Sequence, residues 1–429
     1  IVFDGVLKQH GVIRARNEEH MLDLVSAFSC CPIPNGNGVA FITQSGGAGV
    51  LMADRAEELG LDVPTPSAQT QAKLKEVIPS FGSSANPIDV TGQFLADPKI
   101  LSESIKISLQ DPNIDSCIVW LQLMHGHADL LVDIFTDVKN SVNKPFIVCW
   151  IEAPEQALQK LRSAGICIIG ATERSVDAIA GLAQYGEARK LCASQTSAPE
   201  HVEILDTTVP GVAVPTMTAA NMLESMGIPL APTLLAETPE EARTTAEQLG
   251  YPVAVKIESP DILHKTEAGG VRLGLTNADD VETVTQEILA AAKAYNPSAS
   301  ISGVVIQRMA KPATELVLGL RRDPIFGPVI MVGLGGIFVE ILEDVAFAAA
   351  PVTPPQAEAM LSRLQGAAIL DGARGKPHVN RKALVEMICN LSNFALAHTE
   401  IAELDLNPIF ADNKGIVAVD WMMIEDAKN

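Results

Sequence analysis

The run Val253-Ala-Val-Lys256-Ile-Glu-Ser-Pro-Asp261-Ile-Leu-His264-Lys265-Thr-Glu267-Ala-Gly269-Gly270-Val271 is the densest set of groups in the chain that could handle phosphate. A lysine ending a buried strand is costly to bury unless its ammonium meets an anion, and triphosphate oxygens are a natural partner. Lys256 is therefore expected to contact the α- and β-phosphates of a nucleotide, although an isolated Val-Lys pair more often sends the ammonium past the strand end into solvent. The glycines at 269 and 270 let the backbone approach a phosphate closely, or make only a tight turn. His264 lies between the two. A neutral imidazole is a nucleophile whose phosphoramidate keeps a high transfer potential; the plainer reading is an exposed loop histidine.

A second set is Glu403-Leu-Asp405-Leu-Asn407-Pro408. If the segment is extended, Asp405 and Asn407 share a face and offer hard oxygen ligands to Mg2+. The alternative is an acidic strand edge running into a turn. In Gly333-Leu-Gly-Gly336-Ile-Phe-Val-Glu340, glycines precede a carboxylate that could sit near the nucleotide or metal, a weak pattern by itself. In Gln44-Ser45-Gly46-Gly47-Ala48-Gly49 a strand runs into a helix start whose free amides and dipole could hold a phosphoryl group. Ordinary strand-to-helix packing would look the same. His125 and His127 fall just past a strand end, the edge where open α/β sheets bind ligands, with Trp120 and Trp150 near similar ends; a core or rim role competes with an acyl pocket for each. His378 sits in a basic loop that could close over a nucleotide or simply be solvated.

These groups need elements to position them. A run at Val39 to Thr43 precedes the glycine turn and a helix over Val50 to Leu59. Strand-like and helical stretches then alternate: Ser116 to Leu123, Ala128 to Ser141, Pro145 to Ile151, Glu155 to Ala164, Ile166 to Ile169 and Glu173 to Leu191. Such alternation predicts a doubly wound parallel sheet, and residues 36–192 read as one flavodoxin-like α/β domain. Residues 1–35, a helix, a turn at Gly11 to Ile13 and a second helix over Glu18 to Phe28, read as the tail of a preceding domain. Residues 193–217 read as a linker, and 218–429 as a less regular α+β unit. That unit is expected to hold helices over Ala219 to Met226 and Pro239 to Leu249, a strand near Leu230, and strands at Pro252 to Ile257, Gly303 to Met309, Leu316 to Arg321 and Pro328 to Val332.

Composition narrows the function classes. The chain has 429 residues, enough for roughly three domains. Every apolar stretch is interrupted well short of the ~20 residues a membrane helix needs, so a soluble protein is expected. With 52 acidic and 31 basic residues the net charge is -21, which repels nucleic acid and anionic membranes. The seven cysteines show no zinc spacing and read as reduced core residues of a cytoplasmic protein. The chain opens at Ile1, and its first motif starts partway through a helix, so it is expected to be the later part of a longer polypeptide. No Walker A pattern occurs.

Taken in this order, the Lys256–Val271, Gly333–Glu340 and Glu403–Pro408 segments closely resemble the ATP-grasp domain of NDP-forming acyl-CoA synthetases, the group of ADP-forming acetyl-CoA synthetase, related to succinyl-CoA synthetase. The likeness extends through Gln307-Arg308-Met309, Thr314-Glu315-Leu316, Asp323 to Val329 and Val419-Asp420. It reaches the first half too. Leu7 to Arg14 is similar to the segment that comes after the family's phosphohistidine loop, and that loop is absent from this sequence. Thr43 to Gly49 and Asn86-Pro87-Ile88-Asp89-Val-Thr-Gly92 resemble the glycine turn and Asn-Pro-x-Asp loop of the succinyl-CoA-ligase-type domain.

The resemblance implies a flavodoxin-like succinyl-CoA-ligase-type domain followed by an ATP-grasp domain. It implies conversion of a carboxylic acid, CoA and ATP (or GTP) to acyl-CoA, ADP and phosphate through acyl phosphate and phosphohistidine. Nucleotide contacts are implied for Lys256, Lys265, Gly269, Gly270, Gln307, Glu315 and Glu340. Asp405 and Asn407 would hold Mg2+, His264 would be a second phosphorylation site, and Ser45, Gly46, Gly47, Asn86 and Asp89 would receive the phosphoryl group or anion. Expected partners are the acid, CoA and further copies of the chain in a homo-oligomer. The alternatives are a relative whose acyl-CoA feeds a further reaction, an ATP-grasp ligase using an amine, a non-catalytic nucleotide sensor, and the binding half of a protein acyltransferase.

Overall fold

A computed structural model describes residues 2–193, 211–262, 264–336, 341–373 and 378–426. They form two compact units, one of residues 10–193 and one of residues 1–9 with 194–429.

The first unit is a five-stranded parallel sheet of β1 (Val39–Thr43), β2 (Ile88–Asp89), β3 (Ser116–Gln122), β4 (Phe146–Ile151) and β5 (Cys167–Ile169), in the order β2-β1-β3-β4-β5. Because strand side chains alternate faces, continuous apolar runs feed two cores. Ile42, Val119, Leu121 and Val148 pack under helices Lys99–Gln110, Ala128–Ser141 and Glu155–Ser163, while Phe41, Ile118, Trp120 and Ile147 pack under Glu18–Cys30, Gly46–Glu58 and Thr172–Ala193.

The expected tail, 1–35, is shared between the units. Helix Glu18–Cys30 belongs to the first because it packs along Thr172–Ala193: Asp23 accepts two bonds from Arg174, at 2.7 and 2.9 Å, and Phe28 meets Tyr185 edge-on. Helix Val2–Gln9 belongs to the second, where the Gln9 amide exchanges bonds of 2.8 and 2.7 Å with the Ala349 backbone.

The second unit carries two antiparallel sheets. Its strands are β6 (Val212–Ala213), β7 (Thr233–Ala236), β8 (Val253–Glu258), β9 (Val271–Leu275), β10 (Gly303–Arg308), β11 (Thr314–Asp323), β12 (Gly327–Leu334), β13 (Val345–Ala349), β14 (Ile401–Ala411), β15 (Ile416–Ala418) and β16 (Trp421–Glu425). The four-stranded sheet, β7-β10-β8-β9, is backed by helices Pro239–Leu249 and Ala278–Tyr295. The larger sheet runs β13-β12-β11-β14-β16-β6, with β15 on β14, and is backed by Thr216–Ser225, Pro354–Ser362 and Arg381–Ala397.

Two further details differ from expectation. Residues 194–210 of the expected linker lie outside the described residues, and its last residues are built into the unit: β6 pairs with β16, and helix Thr216–Ser225 starts directly after. Leu230 makes only an isolated bridge to Ala418, and the strand comes later, at β7, where backbone pairing with β10 is available. Among the described residues no helix is long and apolar enough to cross a membrane.

Candidate functional site

In the second unit a cleft of about 570 Å3 is lined by residues of both sheets. Alternation along β8 explains one wall. Val253, Val255 and Ile257 enter the core behind the small sheet, so Ala254, Lys256 and Glu258 face the cleft. The same rule along β14 puts Leu404 and Leu406 in the larger core and turns Asp405 and Asn407 to the cleft. Val271, Leu273, Met309 and Phe410 add apolar wall, and His264 and Lys265 add polar wall. A cleft mixing apolar surface with convergent charges suits a ligand with an aromatic body and an anionic tail.

Lys256 is buried, at 7% exposure. Its Nζ lies 3.1 Å from Asp420 Oδ1 and donates to the Val419 carbonyl at 3.2 Å, so the ammonium joins the two sheets. Burial pushes this lysine below its usual range, the pull of Asp420 opposes that, and the nearby Lys265 adds to it. The Asp405 carboxyl moves the other way, held above the usual carboxylate range by burial and then by the charges of Glu403 and Asp420.

Asp405, Asn407 and Asp420 are hard oxygen donors around one cleft, and a cation would relieve the penalty on Asp405. Among the described residues no group of three or more His, Cys, Asp or Glu could hold a metal by itself. The donors therefore fit an ion that takes most of its ligands from phosphate and water, as Mg2+ does.

His264 and Lys265 open a single helical turn, with Ala268 N donating to the His264 carbonyl. Gly269, at φ +66°, and Gly270 close it: Gly269 N bonds to Thr266 O at 3.1 Å and Gly270 N to Lys265 O at 2.7 Å, the pattern that commonly ends a helix. A Cβ on Gly270 would stand 2.5 Å from Ile257 Cγ2. The glycine pair thus shapes the His264 turn against β8, and neither glycine is among the cleft-lining residues.

Gln307 lines the cleft, buried, with its Nε2 donating to Thr233 Oγ1 at 3.0 Å. Glu315 does not line it; its carbonyl accepts from Gly335 N at the β11–β12 ladder. Glu340 lies outside the described residues. His378 is exposed.

The remaining candidates stand in the first unit: Ser45 to Gly47, Asp89 and His125 at or beyond the C-terminal ends of its strands, and Asn86 before β2, beside the first half of β1. Ser45 precedes helix Gly46–Glu58, and the added Cβ of Gly46 or Gly47 would meet nothing within 4 Å. Asn86 has a structural task. Its Oδ1 accepts from Phe41 N at 2.9 Å and its Nδ2 donates to the carbonyls of Val39 and Pro64, leaving little capacity for an anion. Asp89 sits in β2 beside Thr43 and accepts from Thr91 N. His125 Nε2 is 2.7 Å from the Glu152 carbonyl, and the Trp120 and Trp150 indoles donate to Thr172 Oγ1 and the Leu123 carbonyl, so these side chains are engaged within the loop edge.

Asp420, Glu258 and Thr216 are among the cleft residues that were not picked out from the sequence as site residues. Glu258 had a visible signal, since two charges at i and i+2 of an otherwise apolar strand must share a face. Asp420 was marked only by the family likeness at Val419-Asp420, and Thr216 by nothing, because it reaches the cleft through the long-range pairing of β6 with β16.

Residues 212–424 match the family model of the ATP-grasp domain, and residues 39–193 that of the Ligase-CoA domain. The subunit beta of acetate–CoA ligase (ADP-forming) I from Pyrococcus furiosus is 43% identical over 206 residues, covering 48% of this chain and 89% of the relative. The chain belongs to the ADP-forming acyl-CoA synthetase family. Two longer members align along nearly the whole chain. Acetate–CoA ligase (ADP-forming) I from Archaeoglobus fulgidus is 33% identical over 98% of this chain and 62% of its own length. The 4-hydroxybutyrate–CoA ligase (ADP-forming) from Nitrosopumilus maritimus is 31% identical over 96% of this chain and 60% of its own length. The chain thus spans about three fifths of the length of these synthetases.

Proposed function

We propose that the chain carries the nucleotide-using part of an ADP-forming acid–CoA ligase, in which a carboxylic acid, CoA and ATP give acyl-CoA, ADP and phosphate. The observation that carries the reading is the convergence of Lys256, His264, Lys265, Asp405 and Asn407 on one cleft, together with the names of relatives that are acid–CoA ligases.

In this reading the apolar wall at Leu273, Met309 and Phe410 receives the base, and the Lys256 and Lys265 ammonium groups meet phosphate oxygens. Asp405 and Asn407 hold Mg2+, which would spread the charge of the transferring phosphoryl group. An imidazole nitrogen of His264 attacks the γ-phosphorus, the bond to the β-phosphate oxygen breaks, and ADP leaves. At Ser45 to Gly47, whose amides would hold the phosphoryl oxygens, a carboxylate oxygen of the acid attacks the phosphorus as its bond to the imidazole nitrogen breaks, giving an acyl phosphate, and the CoA thiolate then attacks the acyl carbon as phosphate leaves. The reading carries the expectation of a cytoplasmic, self-associating enzyme, in keeping with seven cysteines that are all free thiols.

The test is CoA-dependent ADP release by the full-length enzyme of which this chain is a part, over an acid panel that includes acetate, 4-hydroxybutyrate and ferulate, the acids in the names of its relatives. Nucleotide binding with ADP release indifferent to acid and CoA would replace the ligase reading with that of a nucleotide sensor.

A further inference from the structure

The cleft holds a second lysine–carboxylate arrangement, distinct from Lys256 and Asp420. Glu258 closes β8 with its side chain buried, at 6% exposure for the residue. Its Oε1 accepts from Thr216 N at 2.7 Å and its Oε2 accepts from Thr216 Oγ1 at 2.6 Å. Thr216 is the first residue of helix Thr216–Ser225, whose N-cap position is Pro215, with no side chain to cap it. The buried carboxylate therefore supplies the acceptor that the helix start lacks, at the end where the helix dipole favours an anion. Lys265 completes the cluster: its Nζ donates to Thr216 Oγ1 at 3.2 Å and lies 3.7 Å from Glu258 Oε2.

The consequence concerns the neighbouring residue. His264 and Lys265 start the same helical turn, whose far end is fixed by Gly270 bonding on both sides, its N to Lys265 O and its O to Ile257 N. Holding the Lys265 side chain at the near end sets where that turn, and the imidazole on it, stands beside the cleft. Lysine carries three N–H donors. With one given to Thr216, the others remain for phosphate oxygens, so the tether and a phosphate contact are compatible.

We propose that Glu258 is a positioning residue: through the Thr216 hydroxyl and Lys265 it holds the His264 turn in place for phosphoryl transfer. This rests on His264 being the phosphoryl acceptor of the reading above. Glu258→Gln keeps an oxygen for the Thr216 amide and removes the charge that holds Lys265.

The full chain, its Glu258→Gln, Lys265→Met and Thr216→Val variants and the Glu258→Gln/Lys265→Met double variant are compared by three measurements. They are single-turnover labelling of His264 from γ-labelled ATP, Mg-ATP affinity by calorimetry, and hydrogen exchange of amides 264–270. Glu258→Gln and Thr216→Val should each slow labelling about tenfold. Glu258→Gln should also speed exchange in the turn while changing Mg-ATP affinity by less than about twofold. In the Lys265→Met background Glu258→Gln should add almost nothing, because the two act as one unit. Unchanged labelling and exchange in Glu258→Gln overturn the proposal, and so does an undiminished Glu258→Gln effect on labelling without Lys265, which would mark a purely structural role. If Glu258→Gln does not fold, Thr216→Val decides by the same readouts. If the label persists in His264→Ala, the histidine reading has failed instead, and exchange in the turn alone decides whether Glu258 holds it.

Discussion

Lys256 and Asp420 meet at 3.1 Å although Lys256 stands on the four-stranded sheet and Asp420 precedes β16 of the larger one. In the proposed reading the pair stands beside the nucleotide's phosphates, and the lysine is already buried and paired before that ligand arrives.

Lys256→Met should therefore separate stability from binding. The substitution keeps the aliphatic stem and removes a buried ammonium. Asp420 is 49% exposed, so the lost pair is worth less than about 1 kcal/mol after solvent screening. Chemical unfolding should place the variant within about 1 kcal/mol of wild type, while calorimetry shows Mg-ATP affinity reduced at least about tenfold. Unchanged affinity would remove Lys256 from the phosphate site.

Asp405 gives a pH prediction. Its carboxyl is held above the usual range, so between the ordinary value and the raised one the folded state binds more protons than the unfolded state, and stability falls as pH rises through that window. Asp405→Asn removes the penalty. Without nucleotide its Tm at pH 7 should lie roughly 2 °C above wild type. The difference should shrink as pH is lowered toward the ordinary aspartate value of about 3.9. Mg-ATP binding by wild type should weaken on acidification sooner than an ordinary aspartate would allow, and Asp405→Asn should bind weakly throughout.

The open space around Gly47 makes it a test of the first-unit turn. Nothing lies within 4 Å of an added Cβ, and the residue is in the first turn of a helix, so Gly47→Ala should stabilise by about 0.5–1 kcal/mol. If its amide receives the phosphoryl group, the same methyl should lower turnover. Higher stability with full turnover would leave the glycine without a ligand role.

Asn86→Ala should behave in the opposite way. Three bonds to backbone groups of β1 and Pro64 would be lost, orphaning partly buried donors and acceptors, at a cost of about 2–3 kcal/mol by denaturant unfolding.

What was legible in the sequence came from period and length. β1 and the helices Ala128–Ser141 and Pro239–Leu249 match their expected bounds because a uniform pattern meets a sharp break at each end. β2 is two residues long and carries no period, yet it places Asn86 and Asp89 against β1. Extension of the Glu403–Pro408 segment correctly turned Asp405 and Asn407 to one face. The sequence could not show that Gly269 and Gly270 close a turn rather than line the cleft, because the space beside Gly270 is taken by Ile257 from the preceding strand. Nor could it show Asp420 against Lys256, a meeting made by two sheets 164 positions apart in the chain.

The pairing of β6 with β16 has a consequence for biosynthesis. Val212 must wait for Glu425, and the Thr216 carbonyl for the indole of Trp421, before the larger sheet and the cleft beside it are complete. On the ribosome, β1 to β5 of the first unit have emerged long before that point, whereas the cleft can close only when β16 has emerged. A nascent chain stalled before Asp420 would thus carry a finished parallel sheet and a half-built cleft, with Lys256 still waiting for its counter-charge.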